Sequence, residues 1–149
     1  MSTPFTISFG SDHGGFSLRH DLIAALKAQG HTIIDRGTDT SASCDYPDYA
    51  QAVGADVTTG KAQYGILICR TGIGISIAAN KIAGIRAALV QSVDAAELSR
   101  QHNNANILCF GAKYVDLPLA LACSEAFLRS EFEGGRHVVR VDKIESKNS

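Results

Sequence analysis

Tyr64-Gly65-Ile66-Leu67-Ile68-Cys69-Arg70-Thr71-Gly72-Ile73-Gly74, residues 64–74, joins an apolar run to a turn that carries two glycines. The run, residues 64–69, is too short for a typical helix and offers no polar side to solvent, as expected of a strand buried on both faces. Helical spacing follows over residues 73–82. A buried strand, a glycine turn and a helix in succession make half of a βαβ unit, and the flanking sequence decides whether the unit repeats.

The unit repeats along the chain. Short Ile-rich runs at 5–9, 31–35, 85–90 and 106–110 also read as buried strands. Between them Leu18, Leu22, Ile23 and Leu26 recur at helical intervals and stop at Gly30, and segments near 47–59, 92–102 and 117–131 behave similarly. Five strands alternating with helices and lacking hairpin turns imply right-handed crossovers. The expected fold is α/β: a three-layer α/β/α sandwich around a five-stranded parallel sheet, Rossmann-like in the broad sense. A Gly-Gly break then precedes a C-terminal helix at about 136–146, expected to dock on this or a neighbouring subunit.

The chain has 149 residues, 45% of them apolar, which suits one domain over 1–149 with a buried core. With 14 basic and 15 acidic residues it has no global attraction for nucleic acid or anionic membrane. No secretory leader and no long apolar segment is visible, so a cytoplasmic location is expected. Cys44, Cys69, Cys109 and Cys123 show neither C-x-x-C nor a zinc-type Cys/His spacing, so metal, cofactor and disulfides are not expected.

In open parallel sheets ligands collect beyond the C-terminal strand ends. Those ends here carry Asp12-His13-Gly14-Gly15, Cys69 to Gly74, and Gly111-Ala112-Lys113. Backbone N–H groups around Gly72 and Gly74, at a helix N-terminus, suit a phosphate or a developing oxyanion. The turn is not a dinucleotide fingerprint, since Ile75, Ser76 and Ile77 follow without a third glycine. Cys69 has two readings: a thiolate favoured by the helix N-terminus and Arg70, acting as base or nucleophile, or an inert buried cysteine. Leu67 and Thr71 flank Cys69 in place of the small residues of a nucleophile elbow, which counts against a cysteine hydrolase built on Cys69, His102 and Asp12.

Arg136 and Arg140, four apart, share a helix face and read either as a phosphate clamp or as a solvated pair. His13 and His102 lie among Asp, Asn and Gly and suit proton transfer, whereas His20, His31 and His137 read as surface or packing residues. Cys44, Cys109 and Cys123 read as core or surface positions.

Together, "SDHGG", "DYPDYA", "ILICRTGIGISIAANKIAGIRAAL", "LSRQHNNANILCFGAK" and "EGGRHVVRVDKI" resemble the ribose-5-phosphate isomerase B family, related to the galactose-6-phosphate isomerase subunits, over residues about 5–145. The resemblance implies an aldose–ketose isomerase working through a cis-enediolate without metal or organic cofactor, in a homodimer or tetramer with shared sites. It assigns Cys69 as the base, His102 with Thr71 to ring opening, and the backbone from Arg70 through Gly72 to Gly74 to the enediolate oxygen. Asp12, Tyr46 and Asn103 match positions holding sugar oxygens, and His13, Lys113, Arg136 and Arg140 match a phosphate clamp.

Two positions depart from the family pattern. Lys113 stands where Arg is usual, giving a point charge in place of a bidentate fork. Arg70 stands where Gly is usual, and a positive φ there would cost an arginine about 1–2 kcal/mol. Its side chain has three destinations: away from the site, beside Cys69, or into the sugar site, where it would shorten the substrate that fits. Ribose 5-phosphate is the expected substrate. Four-carbon tetrulose or erythrose 4-phosphate, and allose or galactose 6-phosphate, are the alternatives, and a non-catalytic phosphosugar-binding module is the alternative of another class.

Overall fold

A computed structural model describes residues 3–146. The strands are β1 (Thr6–Ser11), β2 (Thr32–Asp35), β3 (Tyr64–Cys69), β4 (Ala87–Leu89) and β5 (Ile107–Gly111). The helices are α1 (Phe16–Ala28), α2 (Tyr46–Thr58), α3 (Ile73–Asn80), α4 (Val93–Asn103), α5 (Leu117–Arg129) and α6 (Arg136–Ser146). All strands run parallel, as the apolar runs predict, and their order is β2-β1-β3-β5-β4.

The chain crosses the sheet one way from β1 to β2 and from β4 to β5, and the other way from β2 to β3 and β3 to β4. Right-handed crossovers therefore place α1 and α4 on one face and α2 and α3 on the other. The packing agrees: α5 lies against α1 and α4, while α2 packs on α3. Alternate residues of each central strand feed the two cores. Ile7, Phe9, Ile66, Ile68, Leu108 and Phe110 enter the larger core with Leu22, Leu26 and Phe127. Leu67, Cys69, Ile107 and Cys109 enter the smaller one with Val53, Ile75 and Ala79. Each large apolar side chain removed fully from water contributes about 1.5–3 kcal/mol, so the central strands anchor the fold.

Asp56 in α2 is buried, where it accepts hydrogen bonds from Ser8 Oγ at 2.7 Å and from Arg36 Nε and Nη2, each at 2.7 Å. Arg19 in α1 reaches back to the end of β1, donating to Ser11 Oγ at 2.8 Å and to Thr38 O. Helix α6 is tied to its own chain by buried His137 and Val141 and by the Arg86–Glu145 ion pair, while Val138, Val139 and Ile144 stay exposed. Among the described residues, no helix is long and apolar enough to cross a membrane.

Candidate active site

Because the strands are parallel, β1, β3 and β5 all deliver their C-terminal ends to one edge of the sheet. Three loops meet there. Ala112 N donates to Cys69 O at 3.0 Å and Lys113 N to Arg70 O at 2.9 Å, which fastens the β5 loop to the β3 loop. A Cβ on Gly14 would lie 3.1 Å from Arg70 N, so the turn after β1 rests on the same segment.

Two glycines make this convergence possible. Gly72, which starts α3, has φ of +79°, and a Cβ there would sit 2.5 Å from Leu89 and 2.8 Å from Gly111 N. At Gly111 a Cβ would lie 2.3 Å from Thr71 O. The β3 and β5 loops are thus in backbone-to-backbone contact, closer than any side chain allows.

Cys69 ends β3 with its side chain toward α2 and α3, and Sγ accepts the Gly72 N–H at 3.2 Å. It is only 4% exposed. Thr71 Oγ1 accepts from Ile73 N at 3.3 Å. In the first turn of α3, Gly74 and Ile75 have no intrahelical acceptor within reach, so their N–H groups carry the positive end of the helix. The Tyr46 ring stands over Gly74, where a Cβ would come within 2.5 Å of it.

Asp12 is buried and accepts from Gly14 N at 3.0 Å. His13 is exposed, and its Nδ1 lies 3.2 Å from Cys44 N, 4.0 Å from Cys44 Sγ and 4.0 Å from Asp12 Oδ2. Its hydrogen bond with Cys44 raises its pKa above the ordinary imidazole range, and the charge of Asp12 adds to this. Burial acts to push the Cys44 thiol up, but its hydrogen bonds to His13, Tyr49 and Thr38 hold it below the ordinary thiol range. Cys109, on the neighbouring strand, is pushed well above that range by burial and by Cys69.

Arg70 is exposed and does not have a positive φ, so an arginine fits this turn without left-handed strain. The strain expected if φ were positive does not arise. Among the described residues its guanidinium has no ion-pair partner, and Lys113 beside it lies over Tyr114, 5.8 Å from the ring. The cationic side chains of Arg70 and Lys113, and His13 with its raised pKa, therefore belong to one loop cluster.

The remaining expected site residues lie elsewhere. Helix α4 runs back against the strands, so His102 and Asn103 in its last turn reach the opposite, N-terminal edge of the sheet. Asn103 lines a cleft there with Arg86, Ala105 and Ile144. His102 stacks on His137 with centroids 4.4 Å apart, and its Nε2 lies 3.8 Å from Glu133 Oε1. Arg136 and Arg140 are exposed on α6. One chain thus carries two half-sets: Asp12, His13, Tyr46, Cys69, Arg70, Thr71, Gly72, Gly74 and Lys113 at one edge, and His102, Asn103, Arg136 and Arg140 toward the other.

Sequence reasoning missed the involvement of Cys44 with His13, and of Glu133 and His137 with His102. Cys44 lies 31 residues from His13, and no spacing signal links them. Glu133 and His137 stand four apart, but Gly134 and Gly135 between them disguise that relation as a loop.

Open parallel α/β topology, an amide-lined helix entrance beside a cysteine and exposed basic side chains on the loops that meet there mark a protein suited to handling a small anionic metabolite. The family model for Ribose/Galactose Isomerase matches residues 7–144, and the chain belongs to that family. Ribose-5-phosphate isomerase B of Escherichia coli (strain K12) is 51% identical over 138 residues, 93% of each chain. The solved structure of Clostridium thermocellum ribose-5-phosphate isomerase B is similar with a TM-score of 0.94 at 48% identity, covering 95% of this chain and 96% of that one. Ribose-5-phosphate isomerase B from Mycoplasma genitalium, solved with bound ribulose-5-phosphate, has a TM-score of 0.90 at 41% identity over 95% of both chains.

Proposed function

We propose that the protein interconverts ribose 5-phosphate and ribulose 5-phosphate, aldose to ketose, through a cis-enediolate and without a cofactor. The observation that carries this reading is Cys69 Sγ beside the Gly72 N–H at the entrance of α3, with His13, Arg70 and Lys113 on the loops that converge there. His102, helped by Thr71, opens the sugar ring by moving a hydroxyl proton. The Cys69 thiolate then takes the proton from C2 of the aldose. The loop and first-turn amides hold the oxygen that becomes negative, the O2 hydroxyl proton passes to O1, and the thiol returns its proton to C1 as the C2 carbonyl forms. Asp12, Tyr46 and Asn103 hold sugar oxygens, while His13, Lys113, Arg136 and Arg140 hold the phosphate and fix the distance to the reacting carbons.

The two half-sets support sites shared between subunits of a cytoplasmic homodimer or tetramer, since His102 and Cys69 lie at opposite sheet edges of one chain. Mixing inactive Cys69→Ala and His102→Asn chains under exchange conditions tests this. Random pairing leaves intact about a quarter of the sites of a two-fold dimer, so about a quarter of wild-type turnover is expected. No recovery on mixing would mean that each site is built from one chain.

The second reading, a four-carbon substrate, has a specific motive in the exposed, unstrained Arg70, which has no ion-pair partner among the described residues. A panel of tetrose, pentose and hexose phosphates with wild type and Arg70→Gly decides between them. The main reading expects ribose 5-phosphate to be the preferred substrate of the wild type. Preference for a four-carbon phosphate that moves to ribose 5-phosphate in the variant establishes the second. Binding measured by calorimetry with no ketose formed from any substrate would identify a non-catalytic module.

A further inference from the structure

His102, Glu133 and His137 come from two separate segments and converge on one point. Their donor atoms all lie within 4.8 Å of one another. Glu133 Oε1 stands 3.8 Å from His102 Nε2 and 3.6 Å from His137 Nε2. The imidazoles are stacked within 15° of parallel, so both ring edges face the carboxylate. The loop is held in place as Glu133 N donates to Gln101 O at 3.0 Å, one residue before His102.

His137 supplies an independent sign that something is bound here. Its side chain is 7% exposed, yet its Nε2 is buried without any hydrogen-bond partner among the described residues. An unpaired buried polar atom of this kind is costly to leave unmet, and a ligand at the shared point would relieve it. Neither carboxylate distance is a hydrogen bond, but both are close to what a metal requires. An ion with bonds of about 2.0–2.1 Å in tetrahedral geometry spaces its donors about 3.3 Å apart, so each carboxylate distance needs to close by a few tenths of an ångström, while the two imidazoles turn out of their stack to aim both lone pairs at the ion. His102 at 37% and Glu133 at 50% exposure leave the remaining coordination positions open to water.

We propose that His102, Glu133 and His137 form a binding site for a divalent cation of the zinc class, and that its occupation withdraws His102 from proton transfer. Two imidazoles and one carboxylate match the donor preference of Zn2+, Co2+ and Ni2+ over Mg2+ or Ca2+, which favour oxygen. The cation is an inhibitor here, unrelated to turnover. The inhibitory half of the inference rests on the role proposed above for His102, whereas the binding half does not.

The test uses the assembled protein after EDTA treatment and dialysis. Co2+ titration followed by visible absorption, and Zn2+ titration by calorimetry, are expected to show about one ion per chain. Loss of even an outer partner of a metal ligand costs about 10- to 100-fold in affinity, so loss of a direct ligand in Glu133→Gln or His137→Gln weakens binding at least tenfold. Glu133 is exposed, which makes Glu133→Gln the variant safe for folding. Saturable binding weakened in the variants, with matching loss of isomerase turnover in the wild type, supports both halves. Binding without inhibition supports the metal site and removes the role of His102. Absence of saturable binding in the wild type, or undiminished binding in Glu133→Gln, overturns the proposal.

Discussion

Replacing Cys69 with alanine separates two tasks of one sulfur atom. Sγ accepts the Gly72 N–H at 3.2 Å in a position 4% exposed. Alanine leaves that N–H without an acceptor, which costs about 1–3 kcal/mol of stability. As the proposed general base the same atom would contribute about 100- to 10,000-fold in rate, or about 2.7–5.5 kcal/mol of barrier. Cys69→Ser distinguishes the two, because a hydroxyl takes the N–H but is a far weaker acid than a thiol. Ketose formation from ribose 5-phosphate and urea unfolding are measured on all three proteins. Both variants are expected to lose at least about 100-fold in kcat, while only the alanine variant loses stability. Turnover by Cys69→Ala within about tenfold of wild type would refute the assignment of the base. Serine that restores rate along with stability would show that the sulfur only holds the loop.

Gly72→Ala is expected to destabilise by about 2–5 kcal/mol, combining left-handed strain with overpacking, and a change in urea-derived stability below about 0.5 kcal/mol would contradict the loop geometry. Asp56 is held below the usual carboxylate range first by its hydrogen bonds from Arg36, with Ser8 adding to them. That contribution is present above the unfolded carboxyl pKa and is lost as pH falls through the lower folded value. Asp56→Asn should therefore cost about 1–2 kcal/mol at neutral pH, allowing for the part-exposed Arg36, with the gap to wild type closing in acid. An equal gap at all pH values would argue against the ion pair. His13 stays protonated above the ordinary imidazole range and is deprotonated as pH rises through its raised pKa. KM for the phosphosugar is expected to rise across that window in wild type and to stay flat in His13→Gln; an identical KM profile in the two would remove His13 from the phosphate clamp.

The strand–turn–helix reading of residues 64–74, repeated along the chain, was enough to obtain the fold class, because burial on both faces leaves a continuous apolar run and α/β chirality does the rest. The strand order was not readable. Insertion of β5 between β3 and β4 depends on which edge pairs, and Ile107 would serve equally beside either neighbour. The half of the site on β1, β3 and β5 was legible from loop position, since parallel strands place their C-terminal ends together. The partnership of His13 with Cys44, and that of His102 with Glu133 and His137, arise from chain segments that no periodicity connects. The Arg70 question needed a backbone angle, which sequence alone does not supply.

The contact between Gly72, Gly111 and the Thr71 carbonyl also divides which positions can change from which cannot. Where two backbones touch, no side chain can be introduced without moving the amides proposed to hold the oxyanion, so this part of the frame is fixed for any substrate. Arg70 sits one residue before that junction with an ordinary φ and, among the described residues, no ion-pair partner. A designer seeking a different chain length of sugar phosphate would vary residue 70 alone, and the hydrogen-bonding frame beneath it would remain in place.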